Sequence, residues 1–156
     1  MNICVYPNSI LRTEAMPINI ISVDTQKLIE NMAKTMYEHL GIGLAANQVG
    51  VPVRIIVFDV YGKGFTAVIN PVITLSEGWF ISEEGCLSLP GFNGKVRRSQ
   101  YIRVEGIDKY SEPLVIDAED LDAACIQHEI DHLNGILLID KVSRLKKETY
   151  LRKRKF

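Results

Sequence analysis

The spacing of hydrophobic positions predicts a first helix near the N-terminus, over residues 25–40. Its apolar residues recur at helical spacing. They are Leu28, Ile29, Met32, Ala33, Met36, Tyr37 and Leu40. We expect this stripe to face the core, with Asp24 as the N-cap and Gly41 as the stop.

The middle of the chain has the pattern of β-strands separated by turns. Apolar and β-branched residues fill positions 53–60 and 65–75, and shorter runs follow at 101–106 and 114–116. Turn punctuation is expected at four glycines, which are Gly62, Gly64, Gly91 and Gly94. The sequence therefore predicts several strands in succession.

A second helix is predicted over residues 118–134, with acidic residues near its start and Gly135 as its stop. One face carries Leu121, Ala124, Cys125, His128 and His132. The opposite face carries Ala123, Ile126, Ile130 and Leu133. A helix that is apolar on two faces is usually internal. A third helix, rich in Lys and Arg, is expected after Asp140, and the order of elements predicts an α+β fold.

Composition limits the kind of protein that the chain can be. Its 156 residues suit one domain, residues 1–156, and 47% hydrophobic with 24% charged residues is a globular balance. The net charge of −1 favours neither a membrane surface nor specific nucleic acid binding. We expect no secretory leader, and the 3 cysteines suggest free or metal-bound thiols in a reducing compartment.

The central helix carries the clearest chemical pattern, QHEIDH at 127–132. His128 and His132 lie one turn apart, so both imidazoles can reach one metal ion. Glu129 flanks the pair, where a carboxylate can take a proton from water and return it to a leaving amine. The sequence therefore predicts a hydrolytic metal site.

A catalytic site of this kind needs a third protein ligand and an open position. Cys86 is the better candidate, since Gly85 before it allows close backbone approach. Cys125 competes, because it shares the histidine face of the helix. The remaining histidine, His39, suits the C-terminus of the first helix better than a metal site.

Three segments together resemble the three motifs of the peptide deformylase family. They are GIGLAANQ at 41–48, EGCLS at 84–88 and QHEIDH at 127–132, in the family order and at similar separations. The resemblance covers nearly the whole chain. It implies an α+β fold with a central metal-binding helix, antiparallel sheets around it, and N-terminal and C-terminal helices.

The resemblance also implies the site and the reaction, which is hydrolysis of the N-formyl group from formyl-methionine at the start of nascent polypeptides. Cys86, His128 and His132 would bind one divalent ion. Glu129 would be the general acid/base, while Gln48 and the backbone N–H of Leu87 would hold the developing oxyanion. The implied ion is Fe²⁺ in the cell, with Zn²⁺, Ni²⁺ or Co²⁺ suited to a purified protein.

The expected substrate contacts follow from the helix face and from the first motif. The methionine pocket would comprise Ile42, Gly43, Leu121, Ala124, Cys125 and His128. The peptide would pair as an added strand with backbone near residues 42–44, which include Leu44, and with Gly85. Asn93 stands where many relatives have an arginine that is thought to help hold the substrate.

The basic C-terminal segment has two interpretations: ribosome docking and a solvated helix face. Its cations are Lys141, Arg144, Lys146, Lys147, Arg152, Lys153, Arg154 and Lys155. The expected location is a bacterial-type cytoplasm, with a processed organellar form as the alternative. Two other functions are weighed: a zincin-type peptidase, with Asp140 as the nearest acidic third ligand, and a non-catalytic structural metal module.

Overall fold

The computed structural model describes residues 1–154 as an α+β fold, as predicted; Lys155 lies outside the described residues. The elements in chain order are α1 (Val23–Glu38), β1 (Gly43–Ala45), β2 (Ile55–Phe58), β3 (Thr66–Glu77), β4 (Phe80–Cys86), β5 (Leu89–Arg98), β6 (Tyr101–Ile107), β7 (Pro113–Glu119), α2 (Asp120–Leu133) and α3 (Arg144–Lys153). Short 3-10 helices occupy Ser9–Arg12, Ala46–Val49 and Leu138–Asp140.

The strands form two antiparallel sheets. One sheet has 5 strands in the order β1-β2-β3-β6-β7, and the other consists of the pair β4-β5. The pair β4-β5 was not predicted, because its glycines and charged residues interrupt the apolar pattern. Gly94, expected in a turn, lies within β5, where an added Cβ would come 2.7 Å from Val142. Close packing, and not a turn, explains this glycine.

Helix α2 lies between the two sheets and begins two residues later than predicted. Asp117 and Glu119 belong to β7, where Asp117 accepts hydrogen bonds from Tyr101 and Arg103 of the neighbouring strand. These bonds extend the sheet up to the first residue of the helix. Gly135 follows the helix with φ 71° and donates its N–H to the carbonyl of His132, as a helix stop should.

Both ends of α1 differ from the prediction. Ser22, and not Asp24, caps the helix, because its hydroxyl accepts the N–H of Thr25 at 3.2 Å. At the other end the helix stops at Glu38, and the left-handed residue is Leu40, not Gly41.

The core consists of apolar clusters on either side of the central helix. The face of α2 that bears Ala123, Ile126, Ile130 and Leu133 packs against buried residues of β2, β6 and β7. The stripe of α1 covers β1 and β2 from outside through Ile29, Met32 and Met36. A third cluster joins β5 to the C-terminal elements through Phe92 and Tyr150. Within residues 1–154, no helix has both the length and the apolar character needed to span a membrane.

Candidate metal centre and active site

Cys86, His128 and His132 converge at one point beside the central helix. One donor atom from each residue lies within 4.8 Å of the other two, and Cys86 Sγ is 3.3 Å from His132 Nε2. Metal bonds of about 2.0–2.3 Å in tetrahedral geometry separate neighbouring ligand atoms by roughly 3.5 Å. The spacing of the three donors therefore fits a small divalent ion.

Local structure explains why these residues meet. The two histidines are one turn apart on α2, with ring centroids 5.1 Å from each other. Cys86 is the last residue of β4, which runs beside that face of the helix. Among the described residues, the other candidates lie outside the cluster: Cys125 donates to the carbonyl of Ile42, and His39 contacts the carbonyl of Thr35 at the end of α1.

A buried network of ion-paired side chains orients His128 through its ring nitrogen Nδ1. Its Nδ1 lies 3.0 Å from Glu84, so its Nε2 is left for the cluster. Arg98 donates two hydrogen bonds to Glu84, at 2.8 and 3.0 Å, and one to Asp131 at 2.7 Å. Burial alone would raise the pKa of Glu84, but hydrogen bonds with His128 and Arg98 outweigh burial and lower that pKa to about 2.

The sequence interpretation missed this network. Glu84 lies in the second motif, and its position two residues before Cys86 places both side chains on the same face of a strand. Asp131 lies in the third motif and Arg98 lies outside all three, and nothing local indicates that they pair, because their pairing depends on packing β5 against α2. Arg98 is only 4% exposed, so its charge requires these two partners.

Glu129 is a buried carboxyl group at the wall of the site, as its position on the helix predicted. Burial raises its pKa to about 7, and within residues 1–154 its Oε2 has no hydrogen-bond partner. Gly43 of β1 faces it so closely that an added Cβ would come 2.7 Å from Oε1 and 2.9 Å from Cys125 Sγ. The glycine is therefore required here by space.

Gln48 is held with its amide nitrogen facing the cluster. Its Oε1 accepts the N–H of Ala45 at 3.0 Å, and its Nε2 donates to Ser88 at 3.1 Å. The same Nε2 lies 3.8 Å from Cys86 Sγ. Ser88, which the sequence interpretation did not select, thus fixes the direction of a predicted oxyanion donor.

These groups open onto a cavity of about 340 Å³ between β1 and β4. The cavity is lined by the predicted site residues Ile42, Gly43, Gln48, Gly85, Cys86, Leu87, Leu121, Ala124, Cys125, His128 and Glu129. Two predicted site residues do not line it: His132 is almost fully buried behind Cys86, and the side chain of Leu44 is buried in the core beneath α1. Asn93 lies opposite Gly85 in the β4-β5 register, close to the cavity wall.

A central helix with two imidazoles, a thiol and a buried carboxyl group beside one cavity is the arrangement typical of mononuclear metal-dependent hydrolases. The family model described as "Polypeptide deformylase" matches residues 1–148. The peptide deformylase of Desulfosudis oleivorans is 48% identical over 98% of this chain and 91% of that protein. The peptide deformylase of Thermodesulfovibrio yellowstonii is 50% identical over 95% and 92%.

A solved structure agrees with these sequence relatives. The crystal structure of a peptide deformylase from Legionella pneumophila superposes with a TM-score of 0.94 at 41% identity, covering 97% of this chain and 91% of that one. The chain therefore belongs to the polypeptide deformylase family, whose metal-dependent members remove the N-formyl group from nascent chains. It is a hydrolase of this family, and not a zincin or a structural metal module. Asp140, the nearest acidic candidate for the third ligand of a zincin, forms an ion pair with Arg12 instead.

Proposed function

We propose that Cys86, His128 and His132 hold the single divalent ion with which this deformylase acts. The observation that carries the proposal is the convergence of these three donors at the edge of an open cavity. A thiolate and two imidazoles suit several first-row metals, and Fe²⁺ is the ion that we propose for the cell. Zn²⁺, Ni²⁺ or Co²⁺ would fit the same donors in a purified protein.

Glu129 moves the protons in the proposed reaction. When bound, the ion would polarise the formyl carbonyl and lower the pKa of water. Glu129 takes a proton from the attacking water and returns it to the amine as the C–N bond breaks, which releases formate. Its burial and its uncompensated Oε2 support this role, since nothing else in residues 1–154 engages that oxygen.

Gln48 and the backbone N–H of Leu87 stabilise the negative charge that develops on the formyl oxygen. The amide of Gln48 is oriented before substrate arrives, because Ala45 and Ser88 hold both of its ends. Donors that need no reorganisation lower a barrier most effectively. Leu87 follows Cys86 directly, so its N–H belongs to the same turn of chain.

The substrate is the formyl-methionine terminus of a nascent polypeptide. Leu121, Ala124 and Cys125 form one wall of the cavity next to His128, and an unbranched methionine side chain suits a slot of that kind. The peptide backbone pairs with residues 42–44 and with Gly85, because β1 and β4 are both edge strands. The whole chain, residues 1–156, acts as one catalytic domain.

The setting of the reaction follows from the substrate. A protein that acts on nascent chains works in the cytoplasm of a bacterial-type cell, and the basic residues of α3 are suited to docking on the ribosome. Arg144 and Lys146 lie exposed in the first turn of that helix, while Lys147 is half-buried beside Asp140. Acidic RNA would attract such a surface in a salt-dependent manner.

The test is to replace Cys86 by Ala and to measure bound metal and formate release from formyl-Met-Ala. Two imidazoles alone hold a divalent ion weakly, so the variant should lose both metal and activity. Cys125→Ala is the matched control and should retain the metal, because Cys125 lies outside the cluster. Full metal content in Cys86→Ala would show that the ligand set is wrong.

A further inference from the structure

Leu40 occupies a backbone position that favours glycine. Helix α1 ends in a Schellman motif, in which the N–H of Gly41 bonds to the carbonyl of Met36 and that of Leu40 to the carbonyl of Tyr37. The motif requires a left-handed residue, and Leu40 supplies it with φ 56°. An L-residue with a Cβ is strained there, whereas glycine is not.

The side chain of Leu40 does not stabilise the fold. It is 93% exposed, so burial of apolar surface does not offset the strain of the backbone. A residue that is unfavourable in both respects points to a function, since strained backbone is concentrated at functional sites.

The position of Leu40 shows where that function lies. Leu40 lines the mouth of the cavity, beside two other partly exposed apolar side chains, Ile42 at 50% and Leu121 at 53%. His128 and Glu129, which are both buried, line the inner part of the same cavity together with Cys86. A chain that leaves the cavity along the edge of β1 must therefore pass this apolar rim.

The geometry of an extended peptide selects one of its residues. Side chains of a strand alternate between its two sides. If methionine at position one points into the cavity, the residue at position two points away and the residue at position three points back. The third residue is therefore the one whose side chain can reach the apolar rim.

We propose that Leu40 makes this deformylase favour substrates with an apolar side chain at the third residue of the formylated peptide. The inference rests on the proposed function and extends it from the first residue to the third. Leu40 contributes affinity at the rim and takes no part in proton transfer or metal binding. Contact with the bound substrate thereby offsets the backbone strain that Leu40 introduces into the free protein.

The test compares formyl-Met-Ala-Leu, formyl-Met-Ala-Ser and formyl-Met-Ala as substrates of Leu40→Gly and Leu40→Asn. Both replacements tolerate a left-handed backbone, so they remove the side chain without adding strain. We expect kcat/KM for formyl-Met-Ala-Leu to fall by about tenfold, mainly through KM, while the other two substrates change little. The Tm of Leu40→Gly should rise, because the strain is relieved.

Leu145→Asn is the matched control, since Leu145 is 72% exposed on α3, away from the cavity. It should leave all three substrates unaffected. Equal kcat/KM values for the three substrates in the wild type, or a preference that survives in both Leu40 variants, would overturn the inference. Failure of the wild-type protein to release formate from formyl-Met-Ala would instead overturn the proposed function.

Discussion

Glu129 shows how a single residue depends on its surroundings for its chemistry. A carboxyl group on a solvated helix has a pKa near 4, whereas burial raises the pKa of Glu129 to about 7. Gly43 leaves just enough room for it beside Cys125. The environment thus places a buried carboxyl group at the cavity wall and leaves its Oε2 without a hydrogen-bond partner among residues 1–154.

Replacing Glu129 by Gln should preserve the metal site and remove most of the activity. The amide keeps the shape of the side chain but cannot accept the proton from water. We expect kcat to fall by about 10²–10⁴-fold, with bound metal unchanged. Metal analysis and formate release on the same protein sample check both parts, and near-normal turnover would assign the proton transfer to another group.

Gln48→Ala should lower kcat more than it raises KM. An oxyanion donor interacts more strongly with the transition state than with the bound substrate, and loss of one such donor costs about 10²–10³-fold. Ser88→Ala should lower kcat by a smaller factor, because it removes the hydrogen bond that orients the Gln48 amide but leaves that amide in place. Steady-state kinetics on formyl-Met-Ala would separate the effects, and a change in KM alone would make Gln48 a binding residue.

At the scale of elements, Arg98 joins the β4-β5 pair to the central helix. It connects Glu84 of β4 to Asp131 of α2, and Glu84 in turn orients His128. The position of His128, a proposed metal ligand, is therefore coupled to the packing of a strand pair against a helix. A buried arginine between two carboxylates can be tested by removing it.

Arg98→Met should reduce the free energy of unfolding by about 3–5 kcal/mol, because two buried carboxylates lose their counter-charge. The neighbouring Arg97 points outward and lies over the ring of Trp79, so Arg97→Met should cost about 1 kcal/mol or less. Urea unfolding of both metal-free variants provides the comparison. Equal stabilities would mean that the buried network contributes little to the fold.

At the scale of the whole molecule, the N-terminal segment is hydrogen-bonded to the C-terminal end of α2 and to the residues that follow it. The N–H of Ala15 bonds to the carbonyl of Leu133, and Arg12 donates to the carbonyl of Gly135 and to Asp140. Arg54 donates to Leu133 as well. Distant parts of the chain thereby satisfy the carbonyls at the end of the central helix.

Asp140 should make part of the stability of these N-terminal contacts depend on pH. Burial raises its pKa, but the hydrogen bonds from Arg12 and Leu137 and nearby positive charge outweigh burial and lower that pKa below its usual value. The contribution is thus complete above the unfolded pKa of about 4, and it is lost as pH falls through the lower, folded value.

Asp140→Asn keeps an oxygen that can accept the N–H of Leu137 but removes the charge. We expect it to reduce the free energy of unfolding by about 1 kcal/mol at pH 7, a modest value because both partners are partly exposed. The difference from wild type should shrink as the pH falls below 4. A difference that stays constant over this range would exclude the carboxylate as its source.

Local sequence determined the helices and much of the larger sheet, because apolar spacing reports directly which face of an element is buried. It also located Glu129 beside the histidine pair, since three residues within one helical turn have a fixed relation. The assignment of Cys86 required the family motifs, because spacing within the chain did not distinguish it from Cys125.

Only the tertiary structure decided what depends on contacts between distant segments. The β4-β5 pair, the Arg98 network, the role of Ser88 and the left-handed Leu40 have no local apolar signal. Gly94 inside β5 resembles a turn residue until its close packing is known, and Arg98 resembles a surface cation until its two carboxylates are placed around it. Pairing, burial and backbone strain arise from the whole fold, so spacing along the chain does not encode them in any short segment.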